Sequence, residues 1–219
     1  MKPIWKFRLV IVLIIVIAGG VSVSNLAAEI LRPSALSFPP TPDTAATQEQ
    51  LSSAKYAALA APFRSDLKAE FALALTGQAI KYDREAQTYD LAKAAVRRAL
   101  KIGPHDSKMW LTMALLQSRG NPGDPLIAES LKMSYLTGPS RAELIAPRLE
   151  IATSNDSLKD ADLNELARSD VRAILGRSST QRQLLSNDYV RASAVGKTFI
   201  EESAKMIDPA FANALKTVK

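Results

Sequence analysis

The chain has 219 residues, 12 prolines, no cysteine and a formal net charge of +6. Three of its 28 Lys and Arg residues precede the first apolar run, leaving 25 against 22 Asp and Glu, a balance that argues against a nucleic-acid binder with a clustered basic surface. Without cysteine the fold cannot be stapled by disulfides, and abundant Ala and Leu with few aromatics favour helix over sheet.

Residues 1–8 form a basic segment with Lys2, Lys6 and Arg8. Residues 9–28 follow without a charge, and twenty residues span about 30 Å as a helix, the thickness of a bilayer's hydrocarbon. The cations before the span predict a cytoplasmic N-terminus, with the chain from about residue 30 onward on the far side. The preferred reading is a retained signal anchor in a bacterial inner membrane, crossing once, with the bulk of the chain in the periplasm. A cleaved signal peptide stays open, because Ser22-Val-Ser24 and Leu26-Ala-Ala28 offer small residues at a cleavage point. A core helix fits poorly, since the run is apolar on every face. Gly19-Gly20 is an incomplete small-residue motif and leaves an oligomer through the anchor open.

Residues 29–47 hold Pro33, Pro39, Pro40 and Pro42, a density that prevents helix and favours extended chain. This predicts a stiff proline-rich tether, holding a domain on the order of 30–45 Å from the membrane at ~3.1 Å per residue. A proline-rich ligand for a recognition domain is the sharper alternative.

Residues 48–155 read as amphipathic helices. Apolar residues at Leu51, Ala54, Ala57, Ala58 and Ala61 line one face until Pro62 breaks the pattern. A second helix spans Asp66 to Thr76 and ends before Gly77; a third spans Tyr82 to Ile102 and is closed by Gly103-Pro104. Asp106 or Ser107 caps the next, with Met109, Trp110, Met113 and Leu116. After the Gly120–Pro125 turn, with Pro125 at the first helical position, Ile127, Leu131 and Tyr135 mark a further helix to Gly138-Pro139. Ser140-Arg-Ala-Glu143 has the capping-box pattern and opens the helix of Leu144, Leu149 and Ile151. Residues 156–219 read as a C-terminal helical cap. Ser157-Leu-Lys-Asp160 can cap a helix with Leu163, Val171 and Leu175 that Gly176 closes, Gln181 to Leu185 reads as a short turn, Tyr189 to Ile207 as a long helix, and Asp208-Pro209 opens a last short one.

Pro62, Pro104 and Pro139 each end one helix and precede another, and this spacing predicts stacked helix pairs. Over residues 50–152 the chain resembles the tetratricopeptide repeat (TPR): Ala92, Val96, Ala99 and Pro104 fall at the family's small, large, small and proline positions, and Trp110 stands where the next unit's tryptophan belongs. Met113-Ala114 replaces the family's Leu-Gly, and Gln117 its tyrosine. The layout of basic start, span, tether and repeats is also similar to small anchored proteins of alphaproteobacteria, an impression to which Leu131–Pro139 and Asp208-Pro-Ala-Phe211 contribute. The resemblance implies an all-α, TPR-like solenoid with a groove for a protein or peptide partner, for which Trp110, Gln117 and Arg119 are candidate contacts. Lys93, Arg97, Arg98 and Lys101 form a basic face on the third helix, suited to solvent, to anionic headgroups or to an acidic partner.

No motif points to chemistry. Gly196-Lys197-Thr198 ends like a phosphate-binding loop, but Arg191 occupies the position of the first glycine and no strand precedes it. Ser52-x-x-Lys55 and Ser65-x-x-Lys68 match a serine–lysine nucleophile pair without its companion motifs. His105 is the sole histidine and lies in a loop, and Asp160, Asp162 and Glu165 suit the first turn of a helix better than a calcium loop. The expectation is a scaffold for cell-envelope or polysaccharide assembly or export, not an enzyme, with no cofactor or metal and no nucleic acid. The alternatives are a structural subunit of a membrane complex and an all-α envelope enzyme acting on cell-wall or exported polysaccharide, with Glu70, Glu85 or Glu150 as its acid.

Overall fold

The computed structural model describes residues 3–82, 86–176 and 179–216. Among them there is no strand. The helices are α1 (Pro3–Ile30), α2 (Gln48–Ala60), α3 (Ser65–Lys81), α4 (Ala86–Ile102), α5 (Ser107–Gly120), α6 (Leu126–Thr137), α7 (Ala142–Thr153), α8 (Ala161–Leu175), α9 (Ser179–Arg191), α10 (Ala194–Ile207) and α11 (Pro209–Leu215), with a 3₁₀ turn at Asp156–Lys159. Connections of a few residues make successive helices antiparallel neighbours. α3 pairs with α4 and α5 with α6, while α3, α5 and α7 touch in a row. α8 and α10 close over α7, and α11 packs on α10.

Local chemistry explains the starts and stops. At α2 the Thr47 hydroxyl accepts the Gln50 N–H (3.2 Å) while Gln50 accepts the Thr47 N–H (2.9 Å), a reciprocal capping box. Asp106, Asp160 and Asp208 cap α5, α8 and α11, each accepting backbone N–H groups of the first turn. The Ser140–Glu143 pattern does not form a box: Arg141 is the N-cap, without a side-chain cap, and Glu143 instead pairs with Arg141 at 2.9 Å.

Three further expectations are corrected. α3 runs through Gly77 to Lys81, and Tyr82 closes α3 without opening α4. The glycine serves contact there, since a Cβ on it would lie 3.2 Å from Ala45 Cα. The long helix from Tyr189 to Ile207 is two helices broken at Ala192-Ser193, because the Ser193 N–H donates to the Thr153 carbonyl (2.8 Å) and its hydroxyl caps α10. The short turn at Gln181 to Leu185 is part of the thirteen-residue α9.

The proline-rich segment is no free spacer. Pro40 and Ala46 are buried, and Leu36 and Phe38 pack against the apolar clusters of the helical body. Gln78 Nε2 donates to the Ala46 carbonyl (2.5 Å), and Lys108 Nζ lies 5.1 Å from the centre of the Phe38 ring. The segment thus lies along α3, α5 and α7, where apolar burial outweighs the reach of an extended chain. Residue 156 marks no boundary of the core either. A single apolar cluster runs from Leu111 of α5 through Leu144, Leu149, Leu163 and Phe199 to Leu215 of α11.

Inside that cluster Arg148 is fully buried. Its Nε donates to Ser134 Oγ (3.0 Å) and Nη2 to the Gly138 carbonyl (2.9 Å), and its guanidinium stacks 4.5 Å from the Tyr135 ring centre. Tyr135 in turn donates to Asp170 at 2.7 Å. Burial holds the Arg148 guanidinium below its ordinary pKa, and burial with the Asp170 charge pushes the Tyr135 phenol well up. The network ties α6, α7 and α8 together.

α1 is one helix long and apolar enough to cross a membrane, and its residues from Trp5 to Val23 are exposed on every face. Beyond them one face of the helix is covered, while Leu26 and Ile30 stay exposed on the other. Ser24 and Asn25 are half-buried, and Ala28 is fully buried against Ala57, Ala58, Ala61 and Leu67. Arg32 donates to Glu70 (2.9 Å from Nε), and Arg64 Nη1 lies 2.8 Å from Glu29.

Candidate functional site

Two concave regions flank α5. The first is a groove of about 510 Å³ between α4, α5 and α6. Arg97, Leu100 and Lys101 line it from α4, Trp110, Met113 and Gln117 from α5, and Leu126, Glu129, Ser130 and Met133 from α6. The α5 residues recur at intervals of three and four, so they share one helical face.

The floor is apolar and in part open. Leu126 is 53% exposed and Trp110 half-buried. The Trp110 indole N–H donates to the Pro104 carbonyl (2.8 Å), which fixes the ring against the α4–α5 corner. Gln117 is buried and committed, its Oε1 accepting from the Ser130 hydroxyl at 2.8 Å. The rim is uneven in charge. Glu129 pairs with Lys132 at 2.9 Å, whereas among the described residues no carboxylate pairs with Arg97 or Lys101. Lys132 also reaches Asp160 (2.8 Å), which lowers that carboxyl's pKa and joins α6 to the cap of α8.

The groove therefore brings together Trp110, Gln117, Arg97 and Lys101, read from the sequence as two separate features. Three other candidates lie elsewhere. Arg119 lines the second cleft, Arg98 is exposed outside both, and a Cβ at Gly120 would lie 3.1 Å from Lys93 Nζ, so Lys93 stands at the C-terminal end of α5. Sequence reasoning missed Leu126 and Met133. The signal for Leu126 is an apolar residue directly after the Asp124-Pro125 helix start, where a first turn faces solvent.

The second cleft, about 370 Å³, lies where Pro39, Pro40, Thr41 and Pro42 cross α5, α7 and α9. Its polar lining includes Arg119, Glu150, Asn155, Asp188 and Arg191. Arg191 bridges two carboxylates, with Nη2 3.0 Å from Asp188 and Nη1 3.4 Å from Glu150. Burial, and then the Glu150 charge, push the Asp188 carboxyl up to about 6, against the opposing pull of Arg191. Of the other acid candidates, Glu70 is held by Arg32, and Glu85 lies outside the described residues.

The weaker motifs have structural employment. Gly196 is buried with α10 pressed on the end of α7, where a Cβ would lie 2.8 Å from the Thr153 carbonyl carbon and closer still to its oxygen. Ser52 donates to the Glu49 carbonyl (2.8 Å), and Ser65 lies beneath Gly103. His105 is exposed at the α4–α5 corner, and Asp160 caps α8 by accepting the Leu163 N–H at 2.9 Å. No group of three or more metal-ligating side chains occurs among the described residues.

Compared with protein-family models, curated proteins and solved structures, the chain matches none.

Proposed function

We propose that this chain is a single-pass inner-membrane protein holding a TPR-like stack of helix pairs in the periplasm, where the α4–α6 groove binds a partner segment with apolar anchors flanked by acidic residues. The observation that carries the reading is the groove: an apolar floor with the exposed Leu126 and the fixed Trp110, beside Arg97 and Lys101 without carboxylate partners among the described residues. Such a surface selects by burying apolar side chains and pairing carboxylates. Support for a repeat comes from one contact made twice. A Cβ at Gly103 would lie 3.0 Å from Ser65 Cβ, and one at Gly138 2.7 Å from Ser107 Cβ, each glycine following an even-numbered helix and each serine opening an odd-numbered one. The burial of Ala28 in the domain supports a retained anchor over a cleaved one.

The test uses the full chain in detergent and two synthetic amphipathic peptides with Leu and Phe anchors, one flanked by Glu and the other by Lys. The Glu peptide is expected to bind more tightly, and Arg97→Glu with Lys101→Glu to reverse the order. Leu126→Asp should weaken both by about tenfold, or ~1.4 kcal/mol. Equal affinity for the two peptides, unchanged in the charge-reversed variant, refutes the reading.

One observation favours the second reading, an all-α envelope enzyme. Asp188, protonated up to about pH 6, stands beside Glu150 in a cleft that can admit part of a sugar chain. Release of reducing ends from cell-wall polysaccharide by the full chain, lost in Asp188→Asn, would support it; no release by the unaltered protein ends it.

A further inference from the structure

We propose that the α2–α3 corner, from Leu59 to Arg64, is embedded in the outer-leaflet interface of the membrane that α1 crosses, so that the helical domain is seated on the lipid and not suspended above it. The inference rests on reading α1 as a retained span. Contacts along the chain give the corner its height. Ser24 meets Ala60, Glu29 meets Arg64, Arg32 meets Glu70, Ser34 meets Gln50 and Ala46 meets Gln78. α2 therefore descends beside the outgoing chain, the corner turns at the bottom, and α3 climbs away.

At the bottom the corner faces the apolar run itself. Gly20, Val21, Ser24 and Asn25 of α1 form a shallow groove with Ala61, Pro62, Phe63 and Arg64. At ~1.5 Å per residue these α1 positions lie roughly 4–12 Å inside the outer end of a span over residues 9–28. Phe63 is 90% exposed and Leu59 65% exposed, so the two most protruding apolar side chains of the corner have no protein covering. That depth is the outermost hydrocarbon, next to the headgroup level where Trp and Tyr belts sit, and it suits the wholly apolar side chains of Phe63 and Leu59.

The polar groups of the corner agree with that medium. In a bilayer a helix end needs a partner for its free carbonyls, because no water supplies one. The Ser24 hydroxyl, from the apolar helix, donates to the Ala60 carbonyl. Pro62 has no N–H to satisfy, and the Arg64 N–H donates to the Ala61 carbonyl at 3.1 Å. One level further out, the charges pair with one another: Arg64 with Glu29 (2.8 Å) and Asp66 (2.5 Å), and Arg32 with Glu29 (2.9 Å). The sequence of layers is apolar helix, apolar corner, then a ring of paired charge, the order of hydrocarbon, interface and headgroups. The occupant of the exposed corner is thus lipid, continuous with the lipid around α1.

The absence of native cysteine allows single-site labelling of the full chain in phosphatidylcholine–phosphatidylglycerol vesicles. Phe63→Cys, Leu59→Cys, Ile14→Cys and Glu165→Cys would each carry an environment-sensitive fluorophore, with quenching by lipids spin-labelled near the headgroup or near the chain end. Ile14 tests the span alone and should be quenched most by the deep label, while Glu165 on α8 should stay aqueous. Labels at Phe63 and Leu59 are expected to shift to the blue and to be quenched most by the shallow label. Aqueous emission at both, with Ile14 quenched, overturns the seated corner and leaves the span intact. Aqueous emission at Ile14 overturns the span and the corner with it. A blue shift at Phe63 that spin-labelled lipid does not quench means that a second copy covers the corner, which also overturns the proposal. Phe63 is so exposed that its replacement leaves the packing of the fold unchanged.

Discussion

At the scale of single residues, the side chains that look most like chemistry in the sequence hold the fold, and a strongly perturbed carboxylate, Asp188, is one that the sequence does not mark. Gly196 resembles part of a phosphate loop, yet it is glycine because α10 lies against the backbone of Thr153. Gly196→Ala is expected to cost on the order of 2–3 kcal/mol in chemical denaturation, the cost of overpacking against backbone that cannot yield. A loss below half a kcal/mol would show that the helices separate freely. Asp188 is a buried carboxylate whose environment pushes it upward, and its sign can be worked out. Its pKa rises from 3.8 to about 6 on folding, so the folded chain holds an extra proton between those values and stability falls as pH rises through that window. The difference is on the order of 3 kcal/mol. Asp188→Asn should therefore gain stability relative to the unaltered chain as pH rises from 3.8 to about 6, and hold that gain above it. A difference that stays flat through the window in denaturation curves would contradict the burial argument.

At the scale of elements, helices were legible where caps and periodicity agree, and misjudged where tertiary contact overrides local signals. Thr47, Asp106 and Asp208 start helices by accepting nearby N–H groups, which depends only on neighbours in the chain. Gly77 reads as a stop, but α3 continues through it because helical hydrogen bonding outweighs one glycine of modest propensity cost. The end of α1 belongs to the domain as much as to the apolar run. Deleting residues 1–23 should leave the stability of the remainder nearly unchanged, while deleting 1–30 removes the buried Ala28 and the Ser24–Ala60 bond. That second truncation should cost on the order of 2 kcal/mol more, from one buried side chain and one hydrogen bond. Equal stability of the two truncated chains in urea would show that α1 merely touches the domain.

At the scale of the whole molecule, the proline-rich segment and α1 decide which faces of the helical body stay open. Residues expected to be a spacer instead lie along α3, α5 and α7, with Phe38 packed on two core clusters. One face of the helical body is thus taken by the chain itself, while the α4–α6 groove stays open on another. Trp110, Gln117, Arg97 and Lys101 were each visible as residues, but their convergence on that groove depends on how α4 and α6 lie against α5.

The sequence by itself determined the all-helical class, the long apolar helix and most helix starts, because these follow from composition, from an uninterrupted apolar run and from contacts between residues a few positions apart. Only the tertiary structure decided where residues 29–47 go, that the C-terminal helices share one core with α5–α7, and which polar groups meet in the two concave regions. Those outcomes depend on burial between segments far apart in the chain, as with Ala28 clustered with Leu67 or Leu111 in one core with Phe199. Burial at such separation leaves no periodic trace in the sequence.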